Sequence, residues 1–138
     1  MSGPDSDDLS TDAARREAGM RTRREVLGDA WVDRAVANTT PFTAGFQDFI
    51  TRVAWGDVWQ RPGLSRRERS IATLSICIAL RHWDEFALHV RAAVHNGLSE
   101  AEIGEVVQHA AVYAGVPAAN HAFKVAAPIL EELRGTSA

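Results

Sequence analysis

The sequence holds a single cysteine, Cys77, in 138 residues. That excludes an internal disulfide, a CxxC redox pair and a multi-cysteine zinc site. Cys77 lies among Leu74, Ile76, Ile78 and Leu80, an apolar setting that raises a thiol's pKa. It predicts a small buried hydrophobe rather than a nucleophile. Long apolar runs are missing as well: the most hydrophobic, Ser70 to Leu80, is about half of what a bilayer-spanning helix needs. The N-terminus, Met1-Ser-Gly-Pro-Asp-Ser-Asp-Asp, has neither the basic nor the apolar part of a signal sequence, which predicts a cytoplasmic protein. The net charge of −3 gives no general attraction to nucleic acid or to an anionic membrane. Also absent are a Gly-rich phosphate loop, an HExxH pair, a repeat of 20 to 50 residues and a basic stripe interleaved with aromatics. Nucleotide, zinc-protease and nucleic-acid functions therefore lack their usual sequence support.

No segment alternates apolar and polar residues long enough to make a strand, so the predicted fold class is all-α. The length suits one domain. Residues 1–9, rich in Ser, Asp and Gly with Pro4, read as a flexible tail, which leaves 10–138 as a single helical domain. A cap at Ser10 or Thr11 with acidic Asp12 opens the first helix, which runs to Gly28. It carries few large apolar residues and is expected on the surface. A short helix is predicted from Trp31 to Asn38. Another starts near Pro41 and carries an apolar stripe through Phe42, Phe46, Phe49, Ile50 and Val53. Arg61-Pro-Gly breaks the chain before Ser65, which with Glu68 makes a capping box for a helix from Arg66 to Leu80. The next helix covers Trp83 to Asn96 and stops at Gly97. Ser99 with Glu102 makes a second capping box, for a helix to Tyr113. Gly115 and Pro117 separate it from a last helix reaching Arg134, in which Pro128 predicts a kink.

Polar residues on apolar helices mark the candidate site. The helix after Arg69 is apolar almost all round, which predicts a central, buried element. Glu68 shares a face with Ala72, Ser75 and Ala79, small residues that let another helix come close. Partial desolvation there would raise the pKa of Glu68 and suit it to proton transfer, although its capping role needs no such chemistry. On the following helix Glu85, His89 and Asn96 line one margin of the stripe made by Phe86, Val90, Ala93 and Val94. Glu85 and His89 are four residues apart and can touch, so the carboxylate is expected to raise the imidazole pKa and fix its orientation. The bland alternative is a histidine that is merely hydrogen-bonded at a core edge. His82, seven residues before His89, either shares that face or lies in the loop. A metal held by His82, Glu85 and His89 lacks a complete ligand set. Arg61, Arg66, Arg67 and Arg69 surround the Pro62-Gly63 turn, where they could clamp a di-acid or form salt bridges.

Three stretches taken together resemble one family. They are Trp59-Gln-Arg-Pro-Gly-Leu-Ser-Arg-Arg-Glu-Arg-Ser, Trp83-Asp-Glu-Phe-Ala-Leu-His-Val-Arg-Ala-Ala and Ala111-Val-Tyr-Ala-Gly-Val-Pro-Ala-Ala-Asn-His-Ala-Phe. They are similar to the carboxymuconolactone decarboxylase family, within the alkylhydroperoxidase D-like superfamily, and the likeness runs from about Met20 to Arg134. The resemblance implies an all-helical fold assembled as a homo-oligomer, commonly a hexamer, with no metal and no organic cofactor. It implies decarboxylation of a lactone di-acid, 4-carboxymuconolactone, to 3-oxoadipate enol-lactone in protocatechuate breakdown. Glu68 looks like the glutamate of the superfamily's thiol branch and His89 like its histidine, while the thiol positions fall near His82 and Glu85. The spacing from Glu68 to His89 is about two residues longer than in that branch. Ala114 stands where family members often have cysteine. On this reading His89, Glu85 and Glu68 are the catalytic candidates, and Arg66, Arg69 and His82 bind carboxylate or lactone oxygen.

Overall fold

The computed structural model describes residues 9–136, with the side chain of Thr136 excepted. Residues 1–8 of the expected tail lie outside them. The described residues are helical and contain no strand, in agreement with the all-α class. They form two compact units, one ending at Leu64 and the other beginning at Ser65. None of their helices is long and apolar enough to cross a membrane.

The first unit contains α1 (Asp12–Leu27), α2 (Asp29–Ala37), α3 (Ala44–Ile50) and a π-helix over Thr51–Trp59. Thr11 caps α1, its Oγ1 accepting the Ala14 N–H at 3.1 Å, and Asp12 complements the positive helix start. Gly28 ends the helix at φ 89, a backbone geometry that a side chain would strain.

The expectation that α1 lies on the surface is corrected. It buries a stripe of mostly small residues, Ala18, Gly19, Thr22, Arg23 and Val26, and packs on the π-helix. Backbone proximity replaces bulk there: a Cβ on Gly19 would sit 1.9 Å from the Thr51 carbonyl oxygen, and one on Gly56 2.6 Å from that of Arg15.

The helix predicted from Pro41 is also corrected. Pro41 lies in a turn, α3 begins at Ala44, and the helix widens into π geometry at Thr51. Of the expected stripe, Phe42 falls in the turn before α3 and Phe46 and Phe49 lie on a face of α3 that no described element covers. Phe42 is 96% exposed, Phe46 and Phe49 are exposed too, and the buried aromatics are Trp55 and Trp59, with ring centroids 5.3 Å apart.

The second unit contains α4 (Arg66–Leu80), α5 (Trp83–His95), α6 (Glu100–Ala114) and α7 (Val116–Thr136), the last continuing through Pro128. Both predicted capping boxes form, at Ser65 with Glu68 and at Ser99 with Glu102. Arg67 joins the two helix starts by hydrogen bonds to the Gly97 carbonyl and the Glu102 carboxylate. Helices α4 and α5 make a hairpin turned at Arg81, a left-handed residue at φ 57, and closed by the His82 N–H on the Cys77 carbonyl at 2.9 Å. Its core joins Leu74 and Ile78 of α4, Phe86 and Val90 of α5, and Ile103 and Val107 of α6. Each such side chain removed from water contributes about 1.5–3 kcal/mol.

Helix α4 is not the fully buried element its composition predicts. Ser70, Leu74, Cys77 and Ile78 are buried, whereas Ile71, Ala72, Ile76, Ala79 and Leu80 are exposed. The packed helices cover one of its two apolar sides. The seam of small residues on the other is open.

Candidate active site

Helix α5 places the acid–base pair. Its stripe of Phe86, Val90 and Ala93 is buried in the core, and the helical turn brings His89 to the edge of that stripe. His89 Nε2 lies 3.7 Å from Glu85 Oε2, the four-residue contact read from the sequence. The two environments differ sharply: His89 is 6% exposed, whereas the Glu85 side chain is 63% exposed.

The predicted rise of the imidazole pKa is reversed. Burial disfavours the charged ring and lowers the pKa of His89 to about 4. A carboxylate reaching it from solvent is screened by water and does not offset that cost. His89 is therefore a neutral imidazole at pH 7.

The pKa of Glu68, also expected to rise, is lowered as well, but for a different reason. Its side chain is exposed at the start of α4, where the Ser65 N–H donates to Oε1 at 2.8 Å. That backbone hydrogen bond, followed by the Ser65 side chain and by nearby Arg69, lowers its pKa below the ordinary value. Glu68 is an ionised cap, not a desolvated acid.

Arg66 and Arg69 are half-buried in the first turn of α4. Arg67, the third arginine of this turn, is committed to α6 through Glu102. His82 is exposed at the other end of the helix, as the residue before α5. At about 1.5 Å of rise per residue, roughly 18 Å of α4 separates Glu68 from the His82 end. The fold joins Glu85 to His89 but does not bring the arginines and His82 to one place within a chain.

Cys77 is buried, and desolvation followed by the charge of Glu85 raises its thiol pKa, as its apolar setting predicts. Among the described residues no group of three or more His, Cys, Asp or Glu side chains is arranged to hold a metal ion. Asn96, on the same margin as His89, donates its Nδ2–H to Ser70 Oγ at 3.0 Å and ties the end of α5 to α4. The sequence reading missed Ser70, because a serine inside an apolar run gives no sign of which helix it will face. His121 of α7 lies against Trp83, ring centroids 4.5 Å apart. A groove of about 470 Å³ is lined by Ile71, Ser75, Glu105 and His109 among others and includes none of the six predicted residues. It lies on the open side of α4, whereas His89 belongs to the packed side.

The model of the carboxymuconolactone decarboxylase family matches residues 44–128, more than half of the chain. The chain belongs to the carboxymuconolactone decarboxylase family. His89, Glu85, Glu68, Arg66, Arg69 and His82 all fall within the matched stretch. Among curated relatives of the carboxymuconolactone decarboxylase family, the chain is similar to two of nearly full length. It is 44% identical over 131 residues to nitrosuccinic acid decarboxylase of Metarhizium robertsii, covering 93% of this chain and 92% of that one. It is 42% identical over 122 residues to 4-carboxymuconolactone decarboxylase of Acinetobacter baylyi, covering 88% and 91%. A 4-carboxymuconolactone decarboxylase sequence from Pseudomonas putida is 54% identical over 43 residues, 31% of this chain and 90% of that sequence.

Proposed function

We propose that this chain is a carboxy-lyase that removes CO2 from a small di-acid whose departing carboxylate sits on a saturated carbon joined to an electron sink. The observation that carries the proposal is His89, a buried neutral imidazole paired with an exposed carboxylate on a family-matched helix. In 4-carboxymuconolactone the C–C bonding pair left behind by CO2 flows through the ring double bond to the lactone carbonyl. The resulting dienolate takes one proton on carbon and becomes 3-oxoadipate enol-lactone. In nitrosuccinic acid the same pair flows into the adjacent nitro group, and the nitronate is again protonated on carbon. Both reactions consume one proton and release one CO2. The sink is part of the substrate, so the chemistry requires no electron-accepting cofactor.

Both acids also keep a second carboxylate, which a guanidinium can hold in a two-pronged fashion. Arg66 and Arg69 fill that role at one end of α4, and His82 offers a hydrogen bond at the other. One substrate meets both ends only where two copies of the chain supply them, as in a homo-oligomer. Neutral His89 donates its N–H to the oxygen on which charge develops, and that charge raises the ring's proton affinity as the reaction proceeds. The ring takes up one proton from water as that charge develops and passes it to carbon, returning to the neutral form, with Glu85 fixing the ring and ionised Glu68 serving as a second base.

Release of CO2 from 4-carboxymuconolactone and from nitrosuccinate, each offered alone, tests the proposal. Turnover of at least one is expected, with His89→Gln lowering kcat by about 10²-fold or more. No CO2 from either acid, or an undiminished rate in correctly folded His89→Gln, overturns it. The lactone is the expected preference. The 44% identity to a nitrosuccinic acid decarboxylase supports the second substrate, and the ratio of the two kcat/KM values decides between them.

A further inference from the structure

In the first unit Arg15, Arg16, Arg24 and Arg52 pair with carboxylates, whereas Arg23, a buried arginine of the same unit, does not. Arg15 and Arg16 pair with Asp12 and Asp48, Arg24 reaches Asp33 at 2.8 Å, and Arg52 reaches Asp48 at 2.9 Å. Arg23 is 6% exposed, and its described partner is a neutral amide: Nη2 donates to Gln47 Oε1 at 3.2 Å. No described carboxylate lies within ion-pair distance of it, and its buried Nε–H meets no acceptor among the described residues. Neighbouring Arg24 adds positive charge, although its own guanidinium is engaged with Asp29 and Asp33.

A buried guanidinium with no counter-ion is costly by several kcal/mol, and an apolar side chain of similar length would fill the same space without that penalty. The cost is consistent with a site held ready for an anion. The Nε–Nη edge of arginine offers two parallel N–H donors that match the two oxygens of a carboxylate. The net charge at the site is that of one guanidinium beside a neutral amide, which suits a monovalent carboxylate group better than a phosphate dianion. The surroundings are also irregular in a way that functional sites often are. The Gln47 carbonyl accepts the Thr51 hydroxyl at 2.7 Å at the junction where α3 becomes the π-helix.

We infer that Arg23 and Gln47 form a carboxylate-binding site in the first unit, taking one carboxylate of a small organic acid from solution. The site lies outside the acid–base pair of α5, and it is tested by binding with Arg66 and Arg69 both changed to Met, so that a di-acid held by the arginines of the proposed active site does not contribute to the response.

The experiment measures melting temperature and calorimetric affinity of the full chain with succinate, using phosphate at matched ionic strength as a control. The chain with Arg66→Met and Arg69→Met, in which the following changes are also made, is expected to show a saturable rise in Tm with succinate and none with phosphate. Arg23→Met should weaken succinate binding at least about tenfold, as expected for lost charge-assisted hydrogen bonds. Gln47→Glu places a carboxylate beside Arg23. It should raise Tm without ligand and abolish the succinate response, which keeps the test decisive if Arg23→Met does not fold. An equal response to phosphate, or a succinate response unchanged in Gln47→Glu, overturns the inference.

Discussion

Lowering the pH from 7 to 4 should destabilise the wild-type protein more than His89→Gln, because only the former carries a buried imidazole that resists protonation. The unfolded chain binds a proton at His89 near the ordinary 6.5, whereas the folded chain binds it at about 4. Between those values the unfolded state holds more protons, so stability falls as pH falls through this window and is fully present above it. At about 1.4 kcal/mol for each tenfold difference in proton affinity, the drop from 6.5 to about 4 amounts to roughly 3 kcal/mol. His89 is almost wholly buried, so solvent screening does not reduce that figure as it would for a surface group. Urea denaturation of both proteins at several pH values isolates the effect, since every other titrating group is common to them. The wild-type curve should lose about 3 kcal/mol more than the variant between pH 7 and pH 4. Parallel curves would refute the argument, as would an imidazole NMR titration with its midpoint at 6.5 or higher. Because Glu85 is exposed, Glu85→Gln should leave the low midpoint in place.

Three further outcomes follow from the packing. Phe86→Ala empties a fully buried position between α4, α5 and their neighbours, and equilibrium unfolding should show a loss of about 3–5 kcal/mol. Gly19→Ala pushes a methyl group into the Thr51 carbonyl oxygen. Hydrogen exchange should therefore quicken in α1 and the π-helix while the α5–α6 core keeps its protection. Cys77, buried with a raised thiol pKa, should react with a thiol reagent only on unfolding, and Cys77→Ala should decarboxylate as fast as wild type. Rapid labelling of the native protein would contradict the burial.

Local signals carried much of the fold. Thr11, Ser65 and Ser99 with their partners three residues on, and Gly28, Gly97 and Gly115 at positive φ, mark helix ends by chemistry within one turn. Such ends are legible because cap and helix are neighbours in sequence. The contact of Glu85 with His89 was legible for the same reason: one helical turn sets it. The π-helix was not. Its widened turn depends on where Thr51, Trp55 and Gly56 find room against α1, and those contacts lie more than thirty residues apart in sequence.

What the sequence alone determined is therefore the helix order, the caps, the three motifs of the carboxymuconolactone decarboxylase family and which residues could take part in acid–base chemistry. Only the tertiary structure decided their electrostatic state. Burial against α4 makes His89 neutral when its neighbour in sequence suggests the opposite, and exposure at a capping box keeps Glu68 ionised. Arg23 is the same lesson in the other unit: its neighbours along α1 look like a surface helix, and only packing on the π-helix removes it from water. A pKa depends on the solvent a group has lost and on the charges around it, and neither is a property of sequence spacing.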